Sequence, residues 1–395
     1  MAQDAREKRL ARLMENYPAI EDLQRKAKRR IPYVAWEYLE AGTGDERAML
    51  RNREALDHWQ FLPRFMQGEL NFDLRTNLFG REYAAPFGVA PVGLTGLMWP
   101  KAECMLAEMA FEERIPFCLS TVATQIPEKV GPLSQDMGWF QLYPPKEVAL
   151  RQQLLKRAKD SGFHTLIVTA DVPKPARRER TKRAGLKTPP KITPGFIWQG
   201  ITHPAWSIAT LLTGLPRLRT VESHAQTKNL KEVEEFVRFK FRGNLTWDYL
   251  KALREEWDGP IILKGILHPD DAREALAIGL DGIAVSNHGG RQFNGAVAAI
   301  DALPGIVEAV QGKVPVLYDS GLRSGLDIMR ALILGADFVL IGRPFLYGVA
   351  ALGKDGATLA TRIFKDDLIN NMAQLGVTTM EELKREGMER VFQRR

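Results

Sequence analysis

The chain has 395 residues, of which 45% are hydrophobic and 26% charged, a composition typical of a soluble globular protein with a large core. Its two cysteines are too few for a disulfide framework and lack the spacing of a zinc site. The net charge of +7 permits contact with nucleic acids or anionic membranes, so the position of the basic residues must decide between them.

The N-terminal 60 residues predict helices of mixed charge, with an amphipathic pattern over 29–42. Residues 1–18 are charged throughout and contain no apolar core of a signal peptide, so we expect a cytoplasmic protein without a secretory signal. No uninterrupted apolar run reaches the roughly 18 residues that a membrane-spanning helix needs.

Eight short apolar runs follow and alternate with longer amphipathic segments. Runs that are apolar on both faces and joined by helices predict parallel strands. Eight βα units predict a closed (β/α)8 TIM barrel, with an open doubly wound sheet as the alternative. No GxGxxG follows the first run, which favours the barrel. The predicted strands are 86–92, 116–122, 139–143, 165–171, 260–266, 282–287, 315–321 and 337–343.

One interval between the fourth and fifth strands is much longer than a βα connection requires. It predicts an insertion over 176–245, followed by a helix over 246–257, within a single domain spanning 1–395. The insertion begins with a basic stretch, and residues 195–216 then contain no Asp, Glu, Lys or Arg. A basic patch beside a Trp-bearing apolar stretch is typical of an interfacial membrane anchor. A flap over the barrel or a subunit contact is the alternative.

Polar side chains and glycines follow nearly every predicted strand at its carboxyl end, where TIM barrels build their active sites. Because burying unpaired polar groups costs several kcal/mol each, a ring of them indicates a site and not a core. In the last two loops, DSGLRSG (319–325) and IGRPF (341–345) place glycines beside Arg323 and Arg343. These loops form the usual phosphate cup of the fold, so they predict a phosphate site.

The motif SNHGGRQ (286–292) follows the sixth strand. Its two glycines allow a sharp turn, so that His288 and Arg291 can both face the barrel mouth. Histidine can accept a proton near neutral pH, and arginine binds a carboxylate through two parallel hydrogen bonds. The pair predicts a site for a small organic acid, with Asp171 orienting the imidazole. A structural histidine is the alternative.

Lys264 lies among apolar residues in PIILKGI (260–266) and has three possible roles. It could be the Schiff-base nucleophile of an aldolase, a fixed cation beside a cofactor that gains negative charge, or a lysine that extends to the rim. The spacing alone leaves all three open.

These motifs, in this order, resemble the FMN-dependent family that oxidises 2-hydroxy acids, over about residues 20–385. SNHGGRQ is highly specific for that family. The stretch WQGITHPAW (198–206) is most similar to the bacterial, membrane-associated L-lactate dehydrogenases. The other matching motifs are YLEAGTGDE (38–46), APVG (90–93), LSTVAT (119–124), FQLY (140–143), TAD (169–171), RRE (177–179), LKG (263–265), DSGLRSG and IGRP.

The resemblance implies FMN-dependent oxidation of an (S)-2-hydroxy acid, with L-lactate to pyruvate favoured and electrons passed to a quinone or another respiratory acceptor. The alternatives are an oxidase that uses O2, a mandelate-type dehydrogenase and, more distantly, an FMN-dependent isomerase. An isomerase needs a diphosphate site in place of a carboxylate clamp, so SNHGGRQ argues against it. A homo-oligomer (commonly a homotetramer), a peripheral contact with the inner face of the cell membrane through 176–216, and no bound metal or nucleic acid are also implied.

Carried over by position, the resemblance assigns a role to each site residue. His288 is the base and Asp171 supports it, while Lys264 stabilises the reduced flavin, so the aldolase role falls away. The catalytic set is His288, Asp171, Tyr143 and Lys264. The substrate-binding set is Tyr38, Tyr143, Arg178, His288 and Arg291. The FMN-binding set is Ala90, Pro91, Val92, Ser120, Gln141, Thr169, Lys264, Ser286, Asp319, Gly321, Arg323, Gly342 and Arg343.

Among the positions that depart from the family pattern, three bear on the predicted site. Asn294 stands where many relatives have Asp, so we expect a weaker tie for that loop. Val122 replaces the Trp of glycolate oxidase and leaves room for a substrate larger than glycolate. Gly93 stands where the oxygen-using members tend to have Ala, which favours a quinone acceptor.

Overall fold

The computed structural model describes residues 2–186, 193–225, 229–236, 241 and 243–393, and it contains the predicted TIM barrel. Eight parallel strands close in chain order, and the last pairs with the first through Val339 and Phe87. The barrel strands β4–β11 are Phe87–Val89, Phe117–Ser120, Gly138–Leu142, Thr165–Thr169, Ile261–Ile266, Gly282–Val285, Val316–Tyr318 and Phe338–Ile341. Each lies within or beside its predicted run, and the observed strands are shorter because the run ends turn into the loops.

The amino end of the barrel is filled by packed aromatic side chains. Trp139 and Phe338 lie inside with ring centroids 6.0 Å apart. Tyr83 is fully buried, and its ring packs edge to face against Trp139 with the ring centroids 6.1 Å apart. Tyr83 belongs to the hairpin β2 (Thr76–Leu78) and β3 (Arg81–Tyr83), which covers this end. With the amino end closed, a ligand can enter only from the carboxyl ends of the strands.

Helices surround the barrel, and four of them precede it, as predicted for the first 60 residues. The short strands β1 (Trp59–Phe61) and β12 (Val391–Gln393) pair antiparallel, so the segment that follows the four N-terminal helices contacts the C-terminal strand. The helices α1–α19 are Ala2–Asn16, Ile20–Arg30, Tyr33–Glu40, Arg47–Asp57, Ala102–Glu113, Pro127–Ser134, Val148–Asp160, Glu179–Arg183, Pro194–Thr202, Pro204–Thr213, Arg219–Glu222, Leu230–Glu235, Trp247–Glu256, Pro269–Ala277, Ala299–Val310, Gly325–Ile333, Arg343–Leu352, Lys354–Leu375 and Met380–Gly387.

The long interval between β7 and β8 is mostly helical. The predicted helix over 246–257 is α13, whose N-terminus is capped by the Thr246 hydroxyl accepting from the Tyr249 amide. Two consecutive helices, α9 and α10, form the uncharged stretch, and we call them the apolar helix pair. They meet where Pro204 starts α10, and Gly214 ends the pair. Parts of the predicted insertion (187–192, 226–228, 237–240 and 242) lie outside the described residues.

Across the described ranges, none of the helices combines the length and the apolar character needed to cross a bilayer.

Candidate active site

A cavity opens at the carboxyl ends of the barrel strands and contains about 1060 Å³ of empty space, part of it open to solvent. Most of the predicted site residues line it, although they come from all parts of the chain. These are Tyr38, Ala90, Pro91, Val92, Tyr143, Arg178, Lys264, His288, Arg291, Asp319, Gly321, Arg323, Gly342 and Arg343. The cavity is large enough for a cofactor and a small acid together.

Three predicted FMN-binding residues lie one layer behind this lining and form a buried chain of hydrogen bonds. The Ser120 hydroxyl donates to Gln141 Oε1 at 2.8 Å, and Gln141 Nε2 donates to Thr169 Oγ1 at 3.0 Å. All three residues are buried at the ends of adjacent strands. Such a chain fixes the orientation of its polar groups, because a buried hydrogen-bonding group without a partner is costly.

His288 and Asp171, which the sequence predicted to act together, are in hydrogen-bond contact. His288 Nδ1 lies 2.9 Å from Asp171 Oδ1. An ionised carboxylate only accepts hydrogen bonds, so Nδ1 carries the proton and Nε2 is left to act on a ligand. Burial lowers the pKa of His288, and the carboxylate of Asp171 offsets only part of that effect. The imidazole is therefore neutral near pH 7 and ready to accept a proton.

The carboxylate of Asp171 is itself held in its charged form. Burial raises its pKa, but His288 and Lys264 outweigh burial and leave the pKa below its usual value. Asp171 packs closely against Gly265 of β8, which has φ +101°. A Cβ on Gly265 would lie 2.6 Å from Asp171 Cβ. The glycine in LKG is thus required by the position of the acidic partner.

Lys264 is buried in the cavity wall and forms an ion pair. Its Nζ lies 2.7 Å from Asp319 Oδ2 and donates to the Ser286 hydroxyl at 2.9 Å. Burial lowers the pKa of Lys264, but the carboxylates of Asp319 and Asp171 outweigh it and raise that pKa above its ordinary value. A protonated amine is no nucleophile, so the geometry fits a fixed cation and not a Schiff-base lysine. Ser286, behind the lining, thus acts on the site through this amine.

Four arginines also face the cavity: Arg178, Arg291, Arg323 and Arg343. Burial, and then the positive charges of Arg178 and Arg343, hold the pKa of Arg291 well below its ordinary value. Four guanidinium groups and an ammonium around one cavity make it a site for anions.

Arg291 is anchored and still has donors to offer. It donates to the carbonyl oxygens of Tyr38, Leu39 and Ala41, at 2.8, 3.1 and 2.8 Å, through Nη1 twice and Nη2 once. Within the described part of the chain, its Nε–H and the second N–H of Nη2 make no hydrogen bond. These two donors suit the two oxygens of a carboxylate.

The turn in SNHGGRQ depends on left-handed backbone and on a contact that the sequence did not reveal. His288 has φ +58°, and a Cβ on Gly290 would lie 2.6 Å from the Met49 amide nitrogen. The buried amides of Asn287 and Asn52 bind each other reciprocally, at 2.8 and 2.7 Å. Asn52 lies in α4, outside the recognised motifs, and it helps to fix the turn that carries His288.

Sequence reasoning also missed apolar residues of the cavity wall, because nothing in the local sequence distinguishes them from core residues. They are Leu39, Met98, Leu340, Ile341 and Leu346.

The loops after β10 and β11 form the phosphate end of the cavity. Arg323 and Arg343 lie here, and Gly342 precedes the first turn of α17, where amide N–H groups are unpaired by the helix. Ser320 and Gly321 both have left-handed φ, at 94° and 93°. Cationic side chains, a helix N-terminus and glycines that permit close approach are the donor set that a phosphomonoester requires, so these residues fit the phosphate of FMN.

The three departures from the family pattern have local explanations. Asn294 ties its loop in both directions, since its amide donates to Asp45 and its oxygen accepts from the Ala48 amide at 3.1 Å. The side-chain amide thus ties the loop through one donated and one accepted hydrogen bond, and the weaker tie relative to Asp stays a prediction. Gly93 packs against Val122, and a Cβ on Gly93 would lie 2.5 Å from Val122 Cγ2.

The chain is similar to known proteins over most of its length. The model of the FMN-dependent dehydrogenase family matches residues 27–390. An L-lactate dehydrogenase of Pectobacterium atrosepticum is 36% identical over 376 residues, covering 95% of this chain and 97% of that protein. One from Pseudomonas aeruginosa is 37% identical over 371 residues, covering 93% and 97%. The crystal structure of the monotopic membrane protein (S)-mandelate dehydrogenase has a TM-score of 0.91 at 32% identity, covering 96% of this chain and 100% of that one. The chain therefore belongs to the family of FMN-dependent dehydrogenases, and FMN is its cofactor.

Proposed function

We propose that this protein oxidises an (S)-2-hydroxy acid, with L-lactate as the preferred substrate and pyruvate as the product. One observation carries the proposal. A neutral imidazole, held by Asp171 at 2.9 Å, faces the same cavity as Arg178 and Arg291. A base and two carboxylate-binding cations are the groups that a 2-hydroxy acid requires, because its hydroxyl and carboxylate sit on adjacent carbons.

The residues of this chain would bind the substrate, orient it and take its proton. Arg178 and Arg291 hold the carboxylate, while the hydroxyls of Tyr38 and Tyr143 bind its oxygens or the substrate hydroxyl. His288 Nε2 then accepts a proton. Asp171 stabilises the imidazolium that forms, because its charge lies against Nδ1.

FMN, when bound, supplies the acceptor of the two electrons. Ala90, Pro91 and Val92 would lie along its ring system, with Ser120, Gln141 and Thr169 supporting the wall behind them. Lys264 would place a fixed positive charge beside the ring, where negative charge accumulates on reduction. Asp319, Gly321, Arg323, Gly342 and Arg343 would hold the ribityl chain and the phosphate, and Ser286 would keep Lys264 in place.

L-lactate is favoured because the curated relatives, 36% and 37% identical over nearly their whole length, carry that name. A mandelate-type substrate is the second candidate. It is supported by the likeness to (S)-mandelate dehydrogenase and by Val122, a small side chain in the cavity wall. The ratio of kcat/KM for L-lactate to that for (S)-mandelate distinguishes the two.

We further propose that the protein attaches to a membrane through the apolar helix pair and passes its electrons to a quinone. The pair is anchored to the barrel by Trp206, whose Nε1 donates to the Leu97 carbonyl at 2.9 Å. Its outer face exposes large apolar side chains, including Trp198, Leu211 and Leu212. Exposed leucine and tryptophan without intervening charge fit the interface of a bilayer. A quinone acceptor dissolved there would be close to the protein.

A homo-oligomer is also proposed, on the basis of a second exposed apolar group. Phe65 and Met66 follow β1, and Phe392 lies on β12, the strand that pairs with β1. Large apolar side chains that are exposed on a surface are candidates for a protein contact. Light scattering on the purified protein gives the mass directly, and a monomer would contradict this proposal.

The first experiment is to record the visible spectrum of the purified protein and to add L-lactate without oxygen. We expect a flavin spectrum that bleaches at once. A flavin spectrum that responds to (S)-mandelate and not to L-lactate would transfer the proposal to the second candidate. A flavin that no 2-hydroxy acid reduces would refute it. Reoxidation of the reduced protein by a soluble quinone and by O2, compared at equal concentration, then tests the acceptor.

A further inference from the structure

The two-turn helix α3 (Tyr33–Glu40) is the element on which the substrate end of the cavity is built. It carries Tyr38, which lines the cavity and donates its hydroxyl to the Gly93 carbonyl at 3.0 Å. The carbonyls at its C-terminal end accept hydrogen bonds from Arg291 and Arg343. A shift of α3 would therefore move both a tyrosine and the anchor of the substrate-binding arginine.

The helix α3 packs against the core through Ala35, Trp36 and Leu39, but its N-terminal end has no capping group of its own. It has eight residues, well short of the length at which an isolated helix is stable. Its N-cap is Pro32, which has no side-chain acceptor for the amides of the first turn. The position of α3 must then be set by residues from elsewhere in the chain.

The insertion between β7 and β8 supplies those residues. Gln199 Oε1, in the apolar helix pair, accepts from the Val34 amide at 3.1 Å and so replaces the missing N-cap. Arg180, in α8, binds both oxygens of the buried Glu37 carboxylate at 2.7 and 2.9 Å. It also donates to Glu46 at 2.8 Å, in the loop that follows α3.

We propose that Gln199 and Arg180 are positioning residues: through them the insertion clamps α3 and sets Tyr38 and Arg291 for binding of the substrate carboxylate. The inference rests on the proposed oxidation of a 2-hydroxy acid. It gives the insertion a second role, separate from contact with a membrane, because both clamps face α3 and the exposed leucines face away from the barrel. Among the residues of the phosphate end, Arg343 contacts α3, whereas Gly321, Arg323 and Gly342 lie in the loops after β10 and β11. We therefore expect FMN to stay bound when the clamp is lost.

Rapid mixing of the FMN-loaded enzyme with L-lactate, without oxygen or membranes, tests the clamp, since it yields the limiting rate of flavin reduction and the substrate Kd separately. Gln199→Leu removes the acceptor, and we expect Kd to rise by about threefold to tenfold, the effect of losing one helix cap. The limiting rate should change less, because His288 and Asp171 are not on α3. FMN content should stay at the wild-type value.

Two variants provide the controls. Gln199→Glu keeps an oxygen that accepts from the Val34 amide, so it should restore the wild-type Kd. Thr202→Val, also on α9, removes a hydroxyl that donates to the Trp198 and Gln199 carbonyls and lies 3.1 Å from His203 Nδ1. All of these partners lie within the apolar helix pair, so Kd should stay unchanged. A wild-type Kd in Gln199→Leu, or a failure of Gln199→Glu to restore it, would overturn the inference.

Arg180→Lys tests the second clamp independently and covers the case in which Gln199→Leu folds poorly. Lysine keeps the charge but cannot bind both Glu37 oxygens and Glu46 together. We expect Kd to rise about tenfold with FMN still bound. An unchanged Kd would show that α3 needs no clamp. A wild-type enzyme that no 2-hydroxy acid reduces would instead refute the proposed function, so the two failures are distinct.

Discussion

The rim of the barrel, formed by the carboxyl ends of its strands, and the apolar helix pair differ in what they bury and expose. The rim buries charged groups, whereas the helix pair exposes apolar side chains. At the rim, Lys264 is 4% exposed and its charge is matched by Asp319 at 2.7 Å. On the helix pair, Leu211 and Leu212 are 82% and 84% exposed and meet no partner within the described residues. Buried charge persists only when it is paired, and exposed apolar surface persists when a partner covers it. The charge of Lys264 is therefore paired within the chain, whereas the apolar surface of the helix pair is suited to a partner outside it.

We expect the largest effect from removing the proposed proton acceptor of the rim, His288. Replacing His288 by Ala removes the proton acceptor, and we expect flavin reduction by L-lactate to slow on the order of 10³-fold. FMN should remain bound, because the phosphate end of the cavity does not include His288. The rate is measured by anaerobic rapid mixing, and the FMN content by the absorbance of the purified variant. Retained turnover at near the wild-type rate would exclude His288 as the base.

The matching change on the helix pair should affect location and not chemistry. Leu211→Asp combined with Leu212→Asp removes two apolar side chains from the outer face. Binding to anionic phospholipid vesicles should weaken on the order of 10²-fold, since each leucine contributes about 1.5–3 kcal/mol when fully buried. Flotation with vesicles measures it, and Thr202→Val serves as the control on α9. Flavin reduction in solution should stay at the wild-type rate, and unchanged vesicle binding would remove the membrane role.

A smaller effect on substrate binding should distinguish the charge of Arg291 from the geometry of its guanidinium group. Arg291→Lys keeps a cation in the cavity but loses the planar group that contacts three backbone carbonyls and leaves two donors for a ligand. We expect the Kd for L-lactate to rise about tenfold with a lesser change in limiting rate. A substrate that lacks the carboxylate, such as a 2-hydroxy amide, should lose much less. Equal losses for acid and amide would show that Arg291 does not bind the carboxylate.

The rim was more predictable from sequence than its supports. Strand-end residues such as Lys264 and Asp319 stand out because a polar group after an apolar run has few structural explanations. The reciprocal amides of Asn52 and Asn287 could not be predicted, since 235 positions separate them and Asn52 lies outside every recognised motif. The same holds for Gln199, whose contact with the Val34 amide joins an insertion to the N-terminal helices.

The barrel fold could be predicted from the sequence because its signal is local, as it is for the strand-end residues. Eight apolar runs of similar length repeat a local signal, and closure into a barrel is the packing that buries all of them. The sequence shows the helix pair as an uncharged stretch that contains Pro204 and Gly214. It does not show that Trp206 anchors this stretch to the barrel. Trp206 was counted with the apolar surface, yet it is buried, with its indole N–H on the Leu97 carbonyl. Side-chain direction within an amphipathic stretch depends on tertiary contacts.

The smallest expected effect concerns pH, and it tests the pairing of His288 with Asp171. Burial lowers the pKa of His288, so the neutral base persists below the ordinary histidine value of about 6.5. kcat/KM should therefore hold constant as pH falls to that value and decline only below it, as the imidazole becomes protonated. Asp171 raises the pKa of His288, so Asp171→Asn should move the decline to still lower pH while reducing the rate at every pH. Measurement of kcat/KM against pH for both proteins checks the direction. A decline that moves to higher pH in Asp171→Asn would mean that the titrating group is not His288 held by this carboxylate.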